Sequence, residues 1–256
     1  MDSQPSRAEP PLGLVFTSLL RADFVVFLKH RRALFVSMLL PFFLLVTTTS
    51  NKATHRFGGA VLIIGLAVAY GLMATSILGY ALTVARDREK GVFQRLRVTP
   101  APTWTIMGSR LTMQAAANLI IALVVVIIGT RIHHLSPSIG QYALVLLVSL
   151  LGGAVFLSIG QALVGLVKSA DSVQAIARVL FAIFIILGTI GTSGSLGNFW
   201  ESVSRWSPVG AVMTLFGGVL NLSSWYSRDT LSLVACAGYI VVCATIGIRW
   251  FQWDAR

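Results

Sequence analysis

The chain has 256 residues, of which 55% are hydrophobic and 11% are charged, and its formal net charge is +11. This composition is typical of a protein that crosses a membrane several times, and it excludes an ordinary water-soluble domain. A nucleic-acid-binding role would need a basic face on a soluble fold, so we interpret the positive charge as a topology signal. We expect one all-α membrane domain over residues 1–256.

The segment before the first apolar run, within residues 1–32, has the pattern of an amphipathic helix. Its apolar face carries Phe16, Leu19, Leu20, Phe24 and Phe27. Its polar face carries Thr17, Ser18, Arg21, Lys29 and Arg32. Asp23 falls on the apolar side, so the amphipathicity is imperfect. We predict a helix lying in the membrane interface, with a disordered leader as the alternative.

Six apolar runs are long enough to cross the hydrocarbon layer, which takes about 20 residues of helix. They cover residues 33–50, 57–85, 105–130, 140–167, 177–196 and 230–251. The first run is short and contains Pro41, which a bundled membrane helix tolerates as a kink. Only Arg110, Arg178 and Arg249 fall inside the runs, each near an end where its side chain reaches the head groups.

Basic residues collect on one side of this six-span arrangement. Of the 20 Lys and Arg residues, 15 lie on the side of the two termini and five lie on the other. Since loops rich in Lys and Arg stay in the cytoplasm, both termini are expected to be cytoplasmic. We place the protein in the cytoplasmic (inner) membrane of a prokaryote.

A dense charged segment, residues 86–102, separates the second and third runs. Within it, three apolar residues share one arc of a helical wheel: Val92, Phe93 and Leu96. This spacing predicts a short amphipathic helix. Gly91 allows the chain to turn after the second span, and Pro100 and Pro102 end the short helix. From charge alone, a loop that only anchors two spans is the better interpretation.

The string REKGVFQRLRVTP at residues 88–100 resembles the cytoplasmic signature of type-2 ABC exporter permeases. In that family an acidic-x-Gly element, a short helix, Leu-Arg and Thr-Pro follow the second span. The amphipathic helix before the first span and the string RWSP at residues 205–208 extend the likeness over nearly the whole layout. It is specific only in residues 86–102, where position 92 is Val although the family often has Thr.

The resemblance implies the membrane half of an exporter, whose charged loop docks as a coupling helix on an ATPase subunit. The residues implied in this coupling are Glu89, Gly91, Phe93, Arg95, Leu96, Arg97, Thr99 and Pro100. We expect polar contacts from Glu89 and from Arg95 or Arg97, and an apolar anchor made by Phe93 and Leu96.

The energy source is expected on another polypeptide, because no G-x-x-x-x-G-K-[ST] phosphate-binding sequence occurs in this chain. ATP and Mg would therefore be bound by the partner, and this chain would hold no cofactor. The expected partners are an ABC ATPase subunit, a second identical or related permease copy, and membrane lipid, without nucleic acid.

The outer region, residues 197–229, contains the apolar run 209–220, which is too short to cross a membrane. We predict a re-entrant or interfacial hairpin broken near Gly217 and Gly218, and family likeness favours short helices that cover the outer end of the pathway. The alternative is a loop on the outer head groups.

Small and polar residues mark candidate contacts inside the spans. Glycines of the fourth and fifth spans are candidates for packing two permease copies: Gly152, Gly153, Gly160, Gly165, Gly188, Gly191 and Gly194. Three polar side chains are candidates for a substrate pathway: Gln114, Asn118 and Gln161. Hydrogen bonding between helices explains these three equally well.

Other classes of function fit less well. The string GTSG at residues 191–194 matches the G-x-S-G element of intramembrane serine proteases, but no His lies in a span to activate Ser193. His133 and His134 alone do not make a metal site. None of the nine acidic residues lies near the bilayer midplane, where an ion-driven carrier would need one.

We therefore expect a transport subunit without an enzymatic site of its own, which moves a drug, a lipid or a lipid-linked glycan outward. A membrane-embedded enzyme and a structural or receptor-like bundle are the alternatives.

Overall fold

A computed structural model describes residues 12–29, 31–50, 54–55, 58–97, 102–193, 197–221 and 227–250. Within these ranges the chain is helical and forms no strand. The helices with described bounds are α1 (Leu12–Lys29), α2 (Arg31–Thr47), α3 (Ala60–Glu89), α4 (Val92–Arg97), α5 (Thr103–Ile132), α6 (Ile139–Leu166), α7 (Ala170–Ser193), α8 (Asn198–Trp206), α9 (Pro208–Leu220) and α10 (Ser227–Trp250).

Five helices are long and apolar enough to cross a membrane: α3, α5, α6, α7 and α10. They correspond to the second to sixth predicted spans. The first predicted span, residues 33–50, coincides with α2, which has 17 residues and contains Pro41. This length is at the lower limit of about 17 residues for a membrane helix. Whether α2 crosses the membrane as the first of six spans therefore stays a prediction.

Helix α3 forms the centre of the bundle. Every residue from 63 to 77 is buried, because α2, α5, α6, α7 and α9 pack around it. A helix that is apolar on all sides is stable in a protein core or in lipid, and α3 is enclosed by protein. Its segment Ala74–Tyr80 is a π-helix, in which each backbone hydrogen bond spans one residue more than in an α-helix.

Two described helix ends differ by more than three residues from the predicted spans, because hydropathy set the predicted ends whereas charge and capping set the observed ones. Helix α3 continues past residue 85 to Glu89, with Arg86 and Arg88 in a last turn that favours positive charge. Helix α7 begins at Ala170 instead of 177. The Ser169 hydroxyl accepts a hydrogen bond from the backbone N–H of Ser172 at 3.2 Å and so caps this end.

Helices α8 and α9 form a helical hairpin in the predicted outer region. Helix α9 is buried against α3, α6 and α10, and its 13 residues reach about 20 Å, too short to cross. The break predicted at Gly217 and Gly218 is wrong, because α9 continues through both residues. The break lies at Ser207, whose hydroxyl accepts from the Gly210 N–H at 3.1 Å, with Pro208 in the first turn of α9. The re-entrant placement in a bilayer stays a prediction.

The described glycines of α6 and α7 pack within one chain, so the prediction that they join two copies is wrong for the four buried ones, Gly152, Gly153, Gly160 and Gly188. A Cβ atom added at any of the six described positions would contact another helix of the same chain: Gly152, Gly153, Gly160, Gly165, Gly188 and Gly191. Gly160 is the clearest case, because its Cβ would lie 2.9 Å from the Ser76 carbonyl oxygen of α3. Gly194 lies outside the described residues.

Helix α1 confirms a helix in the N-terminal region and packs along α5. A Cβ at Gly108 of α5 would lie 3.6 Å from the Phe16 ring. Thr17, Ser18 and Arg21 are exposed, as the polar face predicts, but Phe24 is exposed as well. The interfacial position of α1 stays a prediction.

Candidate functional site

The charged segment between α3 and α5 contains the predicted short helix, which the structure confirms as α4. Gly91 joins the two helices with a φ of +67°, a left-handed conformation that favours glycine. The Gly91 N–H donates to the Arg88 carbonyl at 3.1 Å, and the Gly91 carbonyl accepts from the Arg95 N–H at 3.2 Å. Gly91 therefore makes the turn between the end of α3 and the start of α4.

Phe93 attaches α4 to the rest of the protein. Its side chain is 1% exposed, and the Arg110 guanidinium of α5 lies 4.8 Å from its ring centre. The same guanidinium forms an ion pair with the Asp87 carboxylate of α3 at 2.6 Å. Arg110 thus connects α3, α4 and α5 through an ion pair and a cation–π contact.

The burial of Phe93 does not support its expected role as an anchor on the ATPase. A helical wheel identified the apolar arc of α4, and this arc packs inward at Phe93. Gln94 and Arg95 are exposed and form the described outer surface of α4. The side chains of Leu96 and Arg97 lie outside the described residues, as do Thr99 and Pro100.

Arg88 is buried where α3 meets the end of α6. It is 3% exposed, and its guanidinium donates to the carbonyl oxygens of Val164 at 2.8 Å, of Val167 at 2.6 Å and of Lys168 at 2.6 Å. The last carbonyls of a helix have no partner within the helix, and a cation beside them is favoured by the helix dipole. Arg88 therefore caps the C-terminus of α6.

Glu89 makes the complementary contact with α7. Its carboxylate Oε1 accepts a hydrogen bond from the backbone N–H of Ala170, the first residue of α7, at 2.6 Å. An anion at a helix N-terminus is favoured for the same electrostatic reason. We call Arg88 and Glu89 the inner clamp, because together they hold the turn between α6 and α7 against the end of α3.

The sequence identified Glu89 as a site residue but missed Arg88. Five basic residues lie between positions 86 and 102, and no local pattern separates the buried one from its exposed neighbours. Arg86, one position before Asp87, is exposed. Hydropathy ended the second span at residue 85, so the sequence did not place Arg88 in the last turn of a helix.

Asn118, one of the predicted pathway residues, is part of a buried hydrogen-bond network with the π-helical segment of α3. It is 1% exposed; its Oδ1 accepts from the Thr75 hydroxyl at 2.7 Å, and its Nδ2 donates to the Ser76 hydroxyl at 3.2 Å. Gln114 Nε2 donates to the same Asn118 Oδ1 at 3.2 Å. For Asn118, the contacts match the alternative of hydrogen bonding between helices, whereas the Gln114 contact stays within α5.

Gln161 of α6 contacts the end of the same π-helical segment. Its Oε1 accepts a hydrogen bond from the Tyr80 hydroxyl at 3.0 Å. Asn118 and Gln161 also line a cavity of about 600 Å³ between α5, α6 and α10, a volume within the usual range for small-molecule sites. The structure thus brings two of the three predicted pathway residues to one cavity.

Metal binding finds no support in the part of the chain that the structure describes. No group of three or more His, Cys, Asp and Glu side chains there is close enough to hold an ion. His133 and His134 lie in the turn after α5.

The sequence as a whole matches a known family. The family model described as "ABC-2 family transporter protein" matches residues 32–249. The chain belongs to the ABC-2 transporter family. No curated protein matches it.

Membership in the ABC-2 family confirms the resemblance seen in residues 88–100. Membrane subunits of ABC-2 transporters are transporter components whose ATPase is carried by a separate subunit. With its five membrane-length helices, this ABC-2 protein is a multi-pass membrane protein. The matched region contains α4, the inner clamp and the cavity.

Proposed function

We propose that the chain is the membrane subunit of an ABC exporter, in which α4 receives the movement of a separate ATPase and the inner clamp transmits it. The observation that carries this proposal is the pair of contacts from Arg88 to the end of α6 and from Glu89 to the start of α7. A displacement of α4 moves the end of α3, and the clamp moves α6 and α7 with it.

The exposed surface of α4 is the proposed contact with the ATPase. Gln94 and Arg95 face outward, while Phe93 fixes the helix to α5 through Arg110. In this proposal Arg95, and with it Leu96 and Arg97, binds the ATPase, whereas Glu89 acts inside the membrane subunit. Because Phe93 and Arg110 attach α4 to α5, a force on the exposed surface of α4 moves the helices to which it is attached.

The proposed cargo is a hydrophobic or amphipathic molecule, such as a drug, a lipid or a lipid-linked glycan, moved outward. The apolar cavity supports this class, because none of the described residues that line it is charged. We further propose a cytoplasmic α4, both termini in the cytoplasm of a prokaryote, and a second identical or related permease copy. The support for this orientation is the excess of basic residues on the α4 side.

The test is co-purification of the tagged chain from its native membrane, followed by measurement of ATP hydrolysis in the isolated complex. An ABC ATPase subunit should co-purify, and Arg95→Glu should release it because the change reverses the charge of the exposed face of α4. Arg131→Glu is the matched control, since Arg131 is an exposed residue at the opposite end of α5. Retention of the ATPase by Arg95→Glu, or the absence of any ABC ATPase from the wild-type complex, would contradict the proposal.

A further inference from the structure

The cavity between α5, α6 and α10 opens on the outside of the bundle. Three of the side chains around it are substantially exposed: Leu111 at 42%, Leu150 at 41% and Ile248 at 77%. The helices that carry these residues all have the length and composition of membrane spans. In a bilayer, the opening therefore faces lipid and not water.

The cavity is elongated. Its lining on α6 runs from Ser149 to Gln161, about 18 Å along the helix axis, and most of the lining is apolar. Its length, its apolar lining and its volume of about 600 Å³ suit a single extended hydrocarbon chain that enters from the lipid.

One end of the cavity carries a hydrogen-bond donor. Gln161 Oε1 accepts from Tyr80, but among the described residues none accepts a hydrogen bond from Gln161 Nε2. The hydroxyls of Ser149 and Ser158, which also line the cavity, donate back to carbonyls of their own helix. The Gln161 amide is therefore a donor that is available to an occupant at this end of the cavity.

The depth of Gln161 identifies the kind of acceptor. Gln161 lies five residues before Leu166, the last residue of α6, which places it about 7.5 Å from the helix end on the side of α4. The ester groups of a glycerolipid lie at the boundary of the hydrocarbon core on that side. An uncharged ester carbonyl suits the site, because a buried charge would have no partner among the described lining residues.

We propose that this cavity binds one acyl chain of an ester-linked glycerolipid from the leaflet on the α4 side, with the ester carbonyl accepting a hydrogen bond from Gln161 Nε2. The acyl chain lies along α5, α6 and α10, and the head group stays outside the bundle. This lipid site rests on the proposed function, because it is the cavity that supports a hydrophobic cargo there. Its test needs no ATPase, so a failure of the lipid site can be distinguished from a failure of the coupling to an ATPase.

The test uses the full-length protein in phosphatidylcholine vesicles that contain a phosphatidylcholine with a photoactivatable diazirine near the end of one acyl chain. After irradiation, mass spectrometry maps the labelled peptides. Labelling should concentrate on cavity-lining residues such as Leu150 and Ala154. Ala115→Phe should reduce this labelling by about tenfold, because the ring fills the groove. The matched control Ala116→Phe, at an exposed neighbour that does not line the cavity, should leave it unchanged.

A competition experiment isolates the polar contact. Unlabelled ester-linked phosphatidylcholine should compete with the probe roughly two- to tenfold better than its diether analogue, which lacks the carbonyl acceptor. Gln161→Leu should abolish this difference, while Tyr80→Phe should keep it because the Gln161 amide remains. Size-exclusion profiles confirm that each variant is folded.

Three results would overturn the inference. The first is labelling spread evenly over the lipid-facing residues and unaffected by Ala115→Phe. The second is equal competition by ester and diether lipids in the wild-type protein. The third is a photoreactive amino acid at position 154 that crosslinks to a second copy of the chain instead of to lipid.

Discussion

Arg88 and Glu89 are adjacent in the sequence but bind opposite ends of two different helices: Arg88 caps the last carbonyls of α6, and Glu89 caps the first amide of α7. Each charge is placed where the dipole of its helix favours it. The short turn at residues 167–169 is therefore attached to the end of α3 from both sides.

The first prediction concerns the buried guanidinium of the inner clamp. Arg88→Lys keeps the positive charge but removes the planar guanidinium, which donates to three carbonyl oxygens at once. We therefore expect this substitution to reduce the free energy of unfolding by about 2 kcal/mol. Thermal unfolding in detergent measures the change. Arg86→Lys, at an exposed position two residues earlier, should unfold like the wild-type protein. Equal stability of the two variants would remove the structural role that we assign to Arg88.

The second prediction separates the two faces of α4. Phe93→Ala should reduce the free energy of unfolding by about 3 kcal/mol, because it removes a buried ring and its contact with Arg110. Gln94→Ala, at the next and exposed residue, should change it by less than about 0.5 kcal/mol. Chemical denaturation in mixed micelles checks both values. A stable Phe93→Ala protein that fails only in binding its ATPase would favour the expectation from the helical wheel.

The third prediction concerns the close approach of α6 to the π-helical segment. Gly160→Ala would place a Cβ 2.9 Å from the Ser76 carbonyl oxygen, so a backbone has to shift. We expect a loss of about 1–3 kcal/mol in unfolding free energy, measured by thermal unfolding. Gly238→Ala is the matched control, because nothing lies within 4 Å of the added Cβ and alanine favours a helix. A neutral Gly160→Ala variant would mean that the two helices are further apart than the structure has them.

The fourth prediction is a pH dependence of stability that arises from the turn after α5. Burial lowers the pKa of His133 below its ordinary value of 6.5, and the positive charge of the neighbouring His134 lowers it further. Its Nε2 is buried without a hydrogen-bond partner among the described residues. The unfolded chain then binds the proton more tightly than the folded one, so this contribution to stability is present above pH 6.5 and is lost as the pH falls below it.

The measurement is the thermal midpoint in detergent between pH 8 and pH 5. His133→Gln should flatten the decrease of the midpoint at low pH, whereas His55→Gln, at an exposed position, should leave it unchanged. If His133→Gln shows the same pH dependence as the wild-type protein, the buried imidazole is not its source.

The sequence predicted the helices that depend on long apolar runs and the short helix α4. It placed the start of α7 seven residues too late, because hydropathy does not register the cap made by Ser169 and Glu89. It placed the break of the outer hairpin at two glycines, although a serine cap followed by proline is the stronger local signal.

The direction in which a side chain faces was harder to predict. The apolar arc of α4 was visible in the sequence, but a helical wheel does not say whether that arc contacts a partner or the same chain. The same limit applies to the glycines of α6 and α7, since small residues permit close approach to any helix. The π-helical segment of α3 had no sequence signal at all, yet Asn118 and Gln161 both bind to it.

The burial of α9 has a consequence for biosynthesis. This apolar helix is too short to be inserted as an independent span, and its final position requires walls formed by α3, α6 and α10. The last of these helices follows it in the sequence, so the enclosure of α9 is completed only after α10 has been synthesised. A ribosome stalled before residue 227 would leave α9 in contact with α3 and α6 but without its third wall.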